Sequence, residues 1–176
     1  INNRGKDLSN SDIFKANLYA MALNNLEQDE FINRWKRLDS DCDNIGYDVE
    51  RIFKIYSYQI RGQRGIKSSE IGLRDFFKKT EYTPFKYKKY NEIMDDLFSI
   101  VKAVEFFNTT KRTEGLNELP KWFQLIDIYT NNYPKDLMIV YLAHKINTDN
   151  FVNDTIRFSK SLVRYCYFQG ATTNIK

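Results

Sequence analysis

Histidine is nearly missing from this chain: His144 is the only one in 176 residues. That scarcity excludes HExxH zinc chemistry, a ββα-metal nuclease and any catalytic dyad that needs two histidines. Cysteine is scarce too. Cys42 and Cys166 lie far apart without CxxC spacing, so neither a disulfide framework nor a thiolate metal site is expected, and a reducing cytoplasm suits the chain. No apolar run approaches the roughly 20 residues of a membrane helix, and no basic-then-apolar leader opens the sequence. A soluble protein without a membrane partner is expected. There is also no GxxxxGK[ST] phosphate loop and no GxSxG elbow. No catalytic residue is therefore assigned.

Proline and glycine are few as well, at three and seven, and the apolar residues recur at three- and four-residue spacing, the mark of amphipathic helices. The expected fold is all-α, an irregular multi-helix bundle of about seven helices forming a single helical domain over 1–176. Ser9 can cap the first helix, with Asp12 in the reciprocal capping-box position. A second helix is expected near Glu30 to Leu38, a third from Tyr47 to Ile60 and a short one from Glu70 to Lys79. A long stripe from Tyr90 to Phe107 makes the next. Pro120 and Pro134 suit early helical positions. A final helix from Asn150 to Phe168 is expected to stop at Gly170. It places Val152, Ile156, Ser159, Val163 and Cys166 on one face, with Arg157, Lys160 and Arg164 nearly opposite as an ordinary solvated face.

The net charge of +4 is unevenly spread. From Glu27 to Glu50 eight acidic residues face three basic ones; from Arg61 to Lys89 nine basic residues face three acidic ones. In the acidic stretch, Asp39, Asp41, Asp43 and Glu50 stand at positions one, three, five and twelve of a calcium-loop pattern. Asn44 replaces the usual turn glycine and Gly46 the usual β-branched residue, so an acidic helix connector with Asp43 or Asn44 as a cap is the competing expectation. In the basic stretch, Arg61, Arg64, Lys67, Lys78, Lys79, Lys86, Lys88 and Lys89 are interleaved with Phe76, Phe77, Tyr82, Phe85, Tyr87 and Tyr90. Cations attract phosphates and rings stack on bases, which makes nucleic-acid contact an expectation. Core packing of the rings is the alternative.

The opening Ile1-Asn2-Asn3-Arg4-Gly5-Lys6-Asp7-Leu8-Ser9, followed by Asp12-Ile13-Phe14-Lys15-Ala16, resembles the "iNxRGxxLsxxDlxKa" signature of the ParB/sulfiredoxin-like DGQQR family. That family includes the GmrS part of GmrSD-type modification-dependent restriction endonucleases. The resemblance implies an internal fragment of a larger multidomain protein. Such a parent has an N-terminal ParB-like domain using a nucleoside triphosphate and a divalent metal, this helical region, and often an HNH nuclease domain. The expected partners are those two domains and DNA. Carried over by motif, Asn2, Arg4, Gly5, Asp12 and Lys15 would form the helical edge of a nucleotide or anion site. The fragment itself would hold no cofactor. Two other functions stay open: a helical protein-interaction module without a nucleic-acid role, and a calcium-binding helix pair.

Overall fold

The structure is a computed structural model that describes residues 8–67, 71–78, 81–114 and 118–173. Among these there are eight α-helices, a 3-10 turn at Pro84–Lys86 and no strand, in agreement with the all-α expectation. The helices are α1 (Asn10–Leu23), α2 (Gln28–Ile45), α3 (Val49–Arg64), α4 (Leu73–Lys78), α5 (Tyr90–Thr110), α6 (Leu119–Asp127), α7 (Tyr133–Lys145) and α8 (Phe151–Thr173). No helix among the described residues is long and apolar enough to cross a membrane.

The chain divides into two compact units, Ile1–Phe98 and Ser99–Lys176. The division falls inside α5, so the sequence shows no linker there.

In the first unit, α1 starts as its sequence dictates. The Ser9 hydroxyl accepts the Asp12 amide at 3.1 Å, and the Asp12 carboxylate accepts the Ser9 amide at 3.2 Å. Phe14, Leu18 and Ala22, one turn apart, are buried on one face. Helix α2 buries Phe31, Trp35, Leu38 and Cys42 at the same spacing. It ends at Gly46, whose φ of +72° suits glycine; Gly46 N–H donates to Asp43 and Tyr47 N–H to Cys42. That pair of bonds is a Schellman motif, which satisfies carbonyls the helix would otherwise leave orphaned. Helix α3 is capped by Asp48, whose side chain accepts the Arg51 amide at 2.6 Å. It ends at Gly65, φ +64°, in the same way. The core between these helices is built on rings: Phe14 meets Phe53 at 4.5 Å and Phe77 at 4.9 Å, and Phe53 meets Phe77 edge-on at 5.3 Å.

In the second unit, α6 and α7 both pack on α8 and on each other. Phe107 stacks on Phe123 at 4.7 Å, and Tyr141 lies on Phe158 at 4.1 Å. The buried side of α8 is partly polar. Thr155 and Ser159 are fully buried, next to Leu162, and their hydroxyls donate to the carbonyls of Phe151 and Thr155 at 2.6 and 2.7 Å. A hydroxyl satisfied by its own helix can enter a core without a desolvation penalty left over. Two expected boundaries are corrected here. Helix α2 runs past Leu38 to Ile45, and α8 runs through Gly170 to Thr173.

Candidate nucleic-acid interface

Asn2, Arg4 and Gly5 lie outside the described residues. The other two residues of the expected anion site edge have structural work within the first unit. Asp12 closes the capping box, and the Lys15 ammonium sits 5.5 Å from the centre of the Trp35 ring, a cation–π distance.

The calcium loop is corrected. Asp39, Asp41 and Asp43 lie within α2, where residues two apart point about 200° away from each other. Their carboxylates cannot converge on one ion as loop ligands do. Glu50 instead accepts a hydrogen bond from the Asn10 side chain at 2.8 Å. The expected caps Asp43 and Asn44 also belong to α2, and Asp48 takes the capping role. Among the described residues no three His, Cys, Asp or Glu side chains form a metal-holding group. Cys42, buried beside this acidic face, has its thiol pushed up to about 12, first by burial and then by Asp39, Asp41, Asp43 and Asp48. It stays protonated, unsuited to nucleophilic or metal chemistry.

The basic stretch separates into cations the fold uses and cations it leaves at the surface. Arg61 lies 4.6 Å from the Phe76 ring centre and donates to the Ile71 carbonyl at 3.3 Å. Lys88 is ion-paired with Asp96. The same Asp96 oxygen accepts the Tyr56 hydroxyl at 2.6 Å, and Tyr56 is wholly buried. Burial first, then the bond to Asp96, raises the Tyr56 pKa and keeps its proton in place. These are core devices. Lys67, Lys78, Lys86 and Lys89, by contrast, have exposed side chains; Lys79 lies outside the described residues.

The rings divide likewise. Phe76, Phe77 and Tyr90 are buried, Tyr82 and Phe85 are half-buried, and Tyr87 is 43% exposed. The guanidinium of Arg64, at the exposed end of α3, lies 4.0 Å from the centre of the Tyr87 ring. A guanidinium stacked on a ring uses its flat face and leaves its N–H edges for a phosphate or carboxylate. The adjoining Tyr82 hydroxyl is held by Glu81, whose hydrogen bond and charge raise its pKa while Arg64 lowers it. This surface can hold an anion.

A second ionic cluster has no counterpart in the sequence pattern. Asp127 accepts from Lys111 at 2.8 Å and pairs with Lys135 at 2.5 Å, and both ammoniums lie within 6.0 Å of the Phe107 ring centre. No spacing rule links a loop lysine, the end of α6 and the start of α7, so periodicity could not reveal it. His144 is exposed in the last turn of α7, a favourable place for a cationic side chain.

No family model, no curated protein and no solved structure matches this chain.

Proposed function

We propose that this chain is the helical part of a larger GmrSD-like bacterial defence protein, supporting a nucleotide-dependent domain and touching DNA phosphates through Arg64, Lys86 and Lys89. The observation that carries the DNA contact is the exposed stack of Arg64 on Tyr87, in a segment whose Lys86 and Lys89 side chains also face solvent. The family part rests on the opening motif from Ile1 to Ala16. Catalysis would belong to the other domains.

Lys86→Glu with Lys89→Glu tests the contact. Duplex binding should weaken, and the log–log salt slope should fall by about 0.9 for each phosphate no longer neutralised. Unchanged, salt-independent behaviour removes DNA from the reading. The family part is tested separately in the parent gene, by a DGQQR stretch upstream of Ile1 and an HNH pattern downstream of Lys176.

One observation favours the second reading, a protein-interaction module. Leu26 is 86% exposed and sits at φ +59°, ending α1 with Schellman-type bonds from Leu26 to Leu23 and Glu27 to Ala22. Glycine ordinarily fills that position; a side chain there costs about 1–2 kcal/mol. Tyr19 and Leu23 are also exposed on the same helix. Leu26→Gly should raise Tm. If it also abolishes capture of a purified partner, the leucine is a docking anchor.

A further inference from the structure

One face of α8 joins cations and exposed rings in a single surface. Asn153, Ile156, Arg157, Lys160, Ser161 and Arg164 line an open concavity of about 320 Å³. With about 100° per residue, the stripe through Arg157, Lys160 and Arg164 continues onto Phe168, with Tyr165 and Tyr167 on either side. Those three rings are 65, 62 and 70% exposed. The buried residues Thr155, Ser159 and Leu162 lie on the opposite side, so the stripe is the outward face of the helix.

The cations are not equivalent. Lys160 is paired with Glu118 at 2.9 Å and lies 5.7 Å from the Trp122 ring centre, which fixes its position at the cost of part of its charge. Arg157 and Arg164 are exposed, and no ion pair to a described residue engages either. The Ser161 hydroxyl donates to the Arg157 carbonyl at 3.1 Å, so toward a ligand it presents an acceptor.

Arg157 and Arg164 are seven residues apart, about 10 Å along the helix axis. Cations strung along an axis suit an extended polyanion; a compact phosphate would need them to converge. The rings select further among polyanions. Base faces are available for stacking only when a strand is single, because a duplex covers them with its own neighbours. A basic track leading into exposed aromatics is the combination that sequence-tolerant strand binding uses.

We propose that this face of α8 binds single-stranded nucleic acid, with backbone phosphates on Arg157, Lys160 and Arg164 and bases stacked on Tyr165, Tyr167 and Phe168. The inference deepens the nucleic-acid reading and rests on it, yet it uses none of the residues placed in the first unit.

The test uses the full chain, a labelled mixed-sequence DNA strand of about 20 nucleotides and its duplex, with binding followed by anisotropy at roughly 50 and 200 mM salt. The strand should bind more tightly than the duplex. Tyr165→Ala with Phe168→Ala should weaken strand binding by about tenfold for each ring while leaving duplex binding alone. Arg157→Ala with Arg164→Ala should lower the strand's salt slope by about 0.7 for each phosphate left without its arginine. All four side chains are exposed, and unchanged circular dichroism confirms that the variants fold. Equal binding of strand and duplex, or ring variants without effect, overturns the proposal. Should the α8 variants be silent while Lys86→Glu with Lys89→Glu weakens binding, this inference fails and the first-unit contact stands. The converse result supports α8 and removes the first-unit contact. Absence of any binding at the lower salt overturns both.

Discussion

The stretch 61–90 in the first unit and the stretch 157–168 in the second have the same ingredients, basic residues interleaved with aromatic ones, and the fold uses them in opposite ways. In the first, Phe76, Phe77 and Tyr90 are core, and the cations beside them, Arg61 and Lys88, brace that core from its edge. In the second, Tyr165, Tyr167 and Phe168 stand in solvent at the end of a cationic stripe. The difference is one of phase. Buried rings in the first unit share faces with other apolar residues, whereas on α8 Phe168 lies away from Thr155, Ser159 and Leu162, the side that packs, and the exposed Tyr165 and Tyr167 flank it. Basic-plus-aromatic composition therefore becomes a ligand signal only where the rings fall off the packing face.

The largest expected effect is on the ring-built core. Phe53→Ala would remove a side chain in contact with both Phe14 and Phe77. A cost of about 3–5 kcal/mol is expected from reduced burial and the cavity left behind, read as a lower midpoint in urea unfolding. A cost below about 1 kcal/mol would mean that the rings of the first unit are not what holds it, and the contrast with α8 would collapse.

The second unit leans on an ion cluster, and Asp127→Asn tests it. The carboxylate is partly buried between Lys111 and Lys135, and removing it leaves two facing ammoniums without their shared partner; about 1–2 kcal/mol is expected once partial exposure to water is allowed for. The pH dependence has a definite sign. Burial by itself would raise the Asp127 pKa, but hydrogen bonds from Lys111 and Lys135, with their charges, outweigh it and hold the group below its ordinary 3.8. The folded protein thus binds this proton less readily than the unfolded chain. The contribution is complete above about pH 4 and disappears as pH falls through the depressed value. Thermal unfolding across that range should show the variant losing less stability toward acid than the parent chain. Equal acid sensitivity would leave the cluster without a measurable role.

Gly46→Ala carries a smaller effect and concerns how far sequence reaches. A side chain at φ +72° costs about 1 kcal/mol, so Tm should fall slightly, and millimolar calcium should leave it unchanged in either protein. The helical class and the Ser9–Asp12 capping box follow from local chemistry, so their residues announce them; the glycine ends of α2 and α3 lie beyond the ends expected near Leu38 and Ile60. The calcium pattern at Asp39, Asp41 and Asp43 misled because it counts spacing, while α2 simply continues through those positions to the glycine. Leu26 takes the left-handed position that glycine ordinarily fills, although Asn24 and Asn25 just before it do signal the end of the helix. Thr155 and Ser159 are polar in composition yet buried, which the fold accommodates because their hydroxyls return to their own helix. Of the nucleic-acid candidates, the sequence identified the cations, but only tertiary packing could show that Arg61 and Lys88 are engaged and that Arg64 lies on Tyr87.

The smallest expected effect separates the two uses of aromatic residues most sharply. Phe168 is mostly in water, so replacing it by Ala removes little buried area, and a stability change within about 0.5 kcal/mol is expected. Phe53→Ala deletes the same chemical group at several times that cost, because the energy follows the area removed from water and the packing around it. If urea unfolding gives the two substitutions similar costs, Phe168 is packing against something and its ring is unavailable for stacking. If Phe168→Ala leaves the midpoint in place, the ring contributes little to folding, and any weakening of strand binding in that variant belongs to the surface itself.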